Sequence, residues 1–366
     1  RQSIQEFMMA KLLEAGIGDY YLRFLDSYLE PRVGKVICEG IVSDVFEIAD
    51  TVFQGSVLGP ALWNCFFADV SFAATEKGGE AALFADDLSI QHEFPASESN
   101  QRIFDNLKLS QEAVHKWGKR NRVSFDATKE QYVVIHFRHG EGDPFVLLGN
   151  HFDVKLHMDL AVQHVLNKNR PKITAMLRTR GQYGIKDMIM QYKTHIWGHA
   201  EYQNAAICHV VPSLLAQIDA MQRRYLHELH LTEEVAFLDH NFLPPRTRRD
   251  VAMLGLIHKR VLGTAHPAFA FLLPWATASS VNCRHNKQLY SGRDKCIGNH
   301  ALFHRSILGR ADMYNRLSQR LVDIDNIKMF QSELTKIIRN RCERNIPTWQ
   351  STFDPSRFDI HCYDIV

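Results

Sequence analysis

The chain has 366 residues, of which 45% are hydrophobic, 23% charged and 10% aromatic, and this excludes disordered, collagen-like and low-complexity classes. Its formal net charge of +2 is unevenly laid out: residues 1–150 hold 14 Lys+Arg against 22 Asp+Glu, and the remainder is correspondingly basic. An acidic front suits a metal–carboxylate site, and a basic back suits a polyanion.

Ile4, Phe7, Met8, Leu12 and Leu13, then Tyr21, Leu22, Phe24 and Leu25, recur at helical spacing. They predict two helices over 4–29, broken at Gly16 and Gly18. From 33 to 52 the period shortens to two, which predicts a pair of strands turning at Gly34 and Gly40. Gly55 and Gly59-Pro60 precede an expected aromatic-rich helix over 61–74. Residues 81–94 predict a β-hairpin in which Leu83, Phe84, Leu88 and Ile90 flank a tight acidic turn. A long helix over 97–121 has serines at its start and Lys116, Lys119, Arg120 and Arg122 at its end. Two more strands, 132–137 and 145–148, are expected to meet across a turn at 140–144. Beyond His157 the chain reads as mainly helical, punctuated by Pro171, Gly181, Gly184, Pro212, Pro244-Pro245, Pro267 and Pro274. The long uncharged stretch 261–283 is interrupted by His266, Pro267 and Pro274, so no membrane helix is expected.

Seven cysteines without a CxxC pair argue for free thiols in a reducing compartment, hence an intracellular protein of the nucleus or cytoplasm. The chain opens on Arg1 without a signal-peptide pattern and reads as a fragment of a longer polypeptide.

Phe84-Ala85-Asp86-Asp87 carries the clearest chemistry. Adjacent carboxylates on a stiff hairpin repel each other unless cations neutralise them. Mg²⁺ is typically held by one or two carboxylates plus substrate phosphates. Upstream stand Gln54-Gly55-Ser56-Val57-Leu58-Gly59-Pro60 and then Leu62-Trp63-Asn64-Cys65-Phe66-Phe67-Ala68-Asp69. This combination resembles the reverse transcriptases of non-LTR (LINE-type) retrotransposons, in which a QGSxLGP loop and helix precede an F/Y-A-D-D hairpin. Trp117, Asn121, Val123, Phe125 and Lys129 are similar to the family's next block, and Leu147-Leu148-Gly149 with Phe152-Asp153 to its primer-grip hairpin. Ile173 to Trp197 resembles the helical thumb. Phe303-His304-Arg305-Ser306, Tyr314-Asn315-Arg316-Leu317 and Phe330-Gln331-Ser332-Glu333-Leu334 resemble the family's tail motifs.

The resemblance implies an α+β fold: a partial right-hand polymerase palm over 1–157, in which helices pack on an antiparallel sheet, a helical thumb-like region over 158–265, and a mostly α extension over 266–366. It implies RNA-directed DNA synthesis, with an RNA template, a DNA primer, dNTPs and two Mg²⁺ ions. In that scheme Asp86 ligates the catalytic metals directly, and Asp87 is the second acidic ligand with a secondary role. Phe84 and Ala85 lie by the primer end, and Gln54, Gly55 and Ser56 border the template and incoming nucleotide. Lys129 reaches the phosphates and donates a proton to the leaving pyrophosphate.

Two departures stand out. Glu130 occupies the place of the family's usual Thr after Lys129. The family's third carboxylate, in a block ending AFD, precedes a helix of the form LLxKLxxxGI, here Met8-Met9-Ala10-Lys11-Leu12-Leu13-Glu14-Ala15-Gly16-Ile17, and would fall just before Arg1. The chain is therefore expected to be inactive by itself. The alternative from another class is a non-catalytic retroelement remnant or a domesticated nucleic-acid-binding protein. Lys168/Arg170/Lys172, Arg178/Arg180, Arg223/Arg224, Arg246/Arg248/Arg249 and Lys259/Arg260 are candidates for tracking a phosphate backbone, while the interleaved Tyr192, Trp197 and Tyr225 read first as core.

Overall fold

A computed structural model describes residues 4–48, 55–276, 284–292, 298 and 300–355. The chain is a mixed α+β protein and divides into two compact units, Arg1–Asp143 and Pro144–Val366.

In the first unit, the two N-terminal helices form as the periodicity dictates: α1 (Ile4–Glu14) buries Met8 and Leu12, and α2 (Asp19–Tyr28) buries Leu25. The expected pair of strands is four short ones. β1 (Arg32–Gly34) pairs antiparallel with β4 (Phe46–Ile48), enclosing the hairpin of β2 (Ile37–Cys38) and β3 (Ile41–Val42). The single helix expected over 61–74 is two, α3 (Gly59–Phe67) and α4 (Val70–Thr75). The break has a local cause. The Phe66 carbonyl, which a continuous helix would bond to residue 70, accepts from Lys11 Nζ at 2.7 Å. The amides of Ser71 and Phe72 then bond three residues back, to Ala68 and Asp69.

The acidic hairpin is β5 (Glu80–Phe84) and β6 (Asp87–Gln91), followed by α5 (Asn100–Asn121), which Ser99 caps by accepting from the Arg102 amide. Leu62, Phe66 and Phe67 of α3, Val70 and Ala74 of α4, and Val114 and Trp117 of α5 join the buried residues of α1 and α2 in one core.

No strand forms over 132–137; a single bridge joins Val134 to Glu141. Phe145–Leu147 (β7) pairs instead with Asn150–Phe152 (β8), which corrects the expected hairpin across 140–144. Leu148 and Gly149 both have positive φ, 48° and 76°, the sign pattern of a type I′ turn whose twist matches the flanking strands. That local turn outcompetes the longer loop, and it is fixed within the second unit, where Tyr202 Oη donates to the Leu148 carbonyl at 2.7 Å and Gln203 Nε2 to that of Gly149 at 3.0 Å. The described strands thus make four two-stranded ladders, not one sheet.

The second unit is helical after β8. Its first core is built by α6 (Asp159–Arg178), α7 (Ile185–Tyr192), a π-helical turn (Lys193–Trp197), α8 (Gly198–Glu201), α9 (Asn204–Ile207), α10 (Pro212–Glu228) and α11 (Glu233–His240). Pro171 does not break the chain, as its punctuation implied, but lies inside α6. Val165 and Leu166 before it, and Ile173 and Leu177 after it, are all buried in that core. Four buried aliphatic side chains, at ~1.5–3 kcal/mol each, outweigh the ~3 kcal/mol that proline costs in a helix interior. A second core gathers α12 (Pro245–Val261), α13 (Ala268–Leu272), α15 (Ile307–Tyr314), α16 (Gln319–Val322) and α17 (Ile327–Glu343) around Leu254, Ile257, Tyr314, Phe330, Leu334 and Ile338, with α14 (His300–Arg305) preceding α15. Among the described residues no helix is long and apolar enough to cross a membrane.

Candidate functional site

The β5–β6 register pairs Leu83 with Leu88 and Phe84 with Asp87, so the hairpin loop is Ala85-Asp86. Strand alternation sends Ala81, Leu83, Leu88 and Ile90 to one face and Ala82, Phe84, Asp87 and Ser89 to the other. Ala81, Leu88 and Ile90 pack on the core, so Phe84 and Asp87 stand on the face turned away from it. Phe84 is 64% exposed there, and Asp86 and Asp87 are both exposed at the tip.

Ala85 carries φ +53°, a left-handed conformation uncommon for a residue with a Cβ. Such strain persists only where the surroundings hold it. The support is visible: Trp63 Nε1 on α3 donates to the Ala85 carbonyl at 2.8 Å. Trp63 is itself fixed by stacking on Phe67, with ring centroids 5.1 Å apart. The Trp63 indole is thus the strut of the acidic turn.

The loop before α3 is placed in part. Gln54 lies outside the described residues. Gly55 has φ +83°, with open space where a Cβ would stand. The Ser56 hydroxyl accepts from the Gly59 amide at 3.1 Å, which ties the loop to the start of the helix that carries Trp63.

Lys129 is 82% exposed and lies 3.8 Å from Asp126 in a turn. The Thr128 hydroxyl and amide, with Lys129, hold the Asp126 carboxyl below its usual range. Among the described residues no hydrogen bond or ion pair joins Lys129 to Asp86 or Asp87. Glu130 explains its own departure from the family pattern: it accepts from Gln111 and meets His115 Nε2 at 2.9 Å, tying the segment back to α5.

Two exposed carboxylates are the right donors for a hard cation such as Mg²⁺. They suit one ion shared with phosphate oxygens and are too few for two. Among the described residues no group of three His, Cys, Asp or Glu is arranged to hold a metal.

Lys11 is the residue that sequence reasoning undervalued. Its ammonium reaches the Phe66 carbonyl and, at 2.8 Å, Asp69, while lying 4.4 Å from the Phe66 ring centroid and 4.8 Å from that of Trp117. One cation therefore ties α1 to the carboxyl end of α3, where the helix dipole favours it. A lysine inside an apolar helical stripe was the available signal.

Several basic clusters serve the fold. Arg249 meets Asp219 at 2.9 Å, Arg248 clasps Glu201 and covers the Trp197 ring at 3.6 Å, and Arg246 pairs with Asp354. Tyr192 and Tyr225 are buried in the first core of the second unit, in agreement with the reading of these aromatics as core. Lys168, Arg170 and Lys172 have no ion-pair partner among the described residues. Comparison with known proteins gives no match: no family model, curated sequence or solved structure matches this chain.

Proposed function

We propose that the chain is part of an RNA-directed DNA polymerase of the non-LTR retrotransposon kind, transferring nucleotides from dNTPs to a primer 3′-hydroxyl on an RNA template. The carrying observation is the coupling of its two motif segments. The helix that follows Gly55-Ser56-Val57-Leu58-Gly59-Pro60 supplies the indole that props the Phe84-Ala85-Asp86-Asp87 turn. A polymerase needs such rigidity, because positioning supplies much of the barrier reduction in phosphoryl transfer.

In this reading Asp86 and Asp87 hold Mg²⁺ against the nucleotide phosphates, and the ion, when bound, neutralises charge that develops on those oxygens. Phe84 offers an exposed apolar face beside the tip for the primer end. Gly55 leaves its backbone open to a close approach by the template. Among the described residues the tip offers only Asp86 and Asp87, too few carboxylates for two ions, and this favours the second reading, a nucleic-acid-binding remnant without catalysis.

Primer extension on an RNA template with Mg²⁺ separates the two. The chain is assayed joined to the AFD-bearing block expected upstream. Extension that requires Asp86 supports the polymerase; nucleic-acid binding without extension supports the remnant.

A further inference from the structure

In the second unit, residues 284–290 run as a strap over the end of α15 and over α16. His285 Nε2 donates to the Tyr314 carbonyl at 3.2 Å, and Lys287 Nζ donates to that of Val322 at 2.9 Å. Asn315 grips Leu289 on both sides: its Oδ1 accepts from the Leu289 amide at 2.9 Å and its Nδ2 donates to the Leu289 carbonyl at 2.7 Å. Gln319 does the same for Asn286, accepting from its amide and donating to its Oδ1, both at 3.0 Å. On the far side the Ala276 amide donates to the Gln288 carbonyl, and the Tyr290 amide to that of Pro274. Leu289 is thereby 1% exposed and packs in the second core.

Apart from one bridge between Leu289 and Trp275, the strap has no regular secondary structure, so its path is set by the turn where it begins. His285 closes that turn, its Nδ1 accepting from the Lys287 amide at 3.1 Å. The ring is 3% exposed and both its nitrogens are engaged, Nε2–H toward Tyr314 and the Nδ1 lone pair toward Lys287. Only the neutral Nε2–H tautomer satisfies both bonds. A proton on Nδ1 removes the acceptor and sets two donors against each other. The charges acting on His285 are Lys287, which opposes protonation, and Asp323, which favours it; the two lie 3.4 Å apart. From α15 the Tyr314 ring meets His285 edge-on at 5.6 Å and keeps its hydroxyl proton, because burial raises its pKa. Across Tyr314 stands His258 of α12, on which Lys287 and Asp325 act in the same opposed senses. Burial outweighs these charges and holds both imidazoles below their ordinary range.

We infer that the strap 284–290 is a pH-sensitive latch, closed on α15 and α16 while His285 is neutral and released when that ring takes a proton. The inference goes beyond the polymerase reading and does not rest on it. Its sign follows from linkage: the released ring binds a proton near the ordinary 6.5, and the closed ring binds one only at lower pH. Closure is therefore full above about pH 6.5 and weakens as pH falls below it, through the value of the closed ring. Release is local, because α12, α15 and α17 also pack on one another through Leu254, Ile257, Ala311, Phe330 and Leu334. It withdraws Leu289 from the core and frees the side chains of Asn315 and Gln319, which gives acid conditions a surface that the closed latch hides.

The test is hydrogen exchange of the full chain, read by mass spectrometry over 284–290 and divided at each pH by the rate of the unstructured sequence. Between about pH 7.5 and about pH 5 this ratio is expected to rise at least about fivefold, while that of α6 rises less than about twofold. His285→Asn supplies an acceptor for the amide two residues on and does not titrate, so its strap is expected to stay protected at both pH values. His285→Ala removes the acceptor, and its strap is expected to exchange fast at both. Thermal melts verify the fold of each variant. A wild-type ratio that does not change with pH overturns the latch without recourse to any variant. An equal rise over α6 overturns local release in favour of general loosening in acid. A His285→Asn chain that still opens in acid, or a His285→Ala chain that stays protected, overturns the assignment of His285 as the trigger.

Discussion

Replacing Lys11 by methionine removes the cation that joins α1 to the end of α3 while keeping most of its aliphatic contacts. Three losses follow. The Phe66 carbonyl, in a residue only 2% exposed, is left without its side-chain donor, at about 1–3 kcal/mol. The ion pair with Asp69 contributes no more than ~1 kcal/mol, because Asp69 is 42% exposed and stays hydrated once its partner is gone. The two ring contacts add roughly 0.5–1 kcal/mol each. These terms share one ammonium and do not add fully, so the expected destabilisation is about 2–4 kcal/mol. For a unit of this size that lowers the melting temperature by roughly 5–12 °C. Differential scanning calorimetry measures it, with Lys11→Arg as the charge-retaining control. A loss below ~1 kcal/mol would refute the claim that Lys11 couples the two helices.

Trp63→Phe keeps the stack on Phe67 and removes only the donor to Ala85, so stability is expected to fall by about 1 kcal/mol. Primer extension by the variant joined to the AFD-bearing block should fall further than stability, and equal proportional losses would contradict the role of the indole as a strut for the turn. His258 is fully buried; its Nε2–H donates to the Ile324 carbonyl, so its Nδ1 accepts from Tyr314 Oη at 2.8 Å, which requires the neutral ring. Burial holds both His258 and His285 below the ordinary 6.5, so the unfolded chain takes up protons first. Their stabilising contribution is present above pH 6.5 and lost as pH falls below it, through the folded values. Melting at about pH 5 should therefore occur at a lower temperature than at about pH 8, and His258→Phe should narrow the gap. A gap of the same width in the variant would remove His258 from the account.

How far the fold was legible depended on whether local or distant partners decided the outcome. The acidic hairpin and the long α5 helix were readable to within three residues, because alternation and a serine cap are local signals. The strand expected over 132–137 was lost to a two-residue turn whose strength lies in positive φ at Leu148 and Gly149, and leucine does not advertise that conformation. The proline in α6 misled because its cost was local and its compensation came from core contacts on both sides. The same limit applied to the charges. Arg246, Arg248 and Arg249 read as a phosphate-binding run, yet their partners Asp354, Glu201 and Asp219 lie 30 or more residues away in sequence. At the candidate site the carboxylates were named correctly as residues of a tight turn, whereas the role of Trp63 was not legible, since no pattern signals an indole donor aimed at a distant carbonyl.

The most direct measurement is Mg²⁺-dependent primer extension on an RNA template, comparing the wild type with Asp86→Asn in the chain joined to the AFD-bearing block. The asparagine is isosteric and preserves the hairpin, but it removes one of the two charges offered to the metal. The account predicts a rate loss of at least about a hundredfold, with folding unchanged. Extension by Asp86→Asn at the wild-type rate would contradict it.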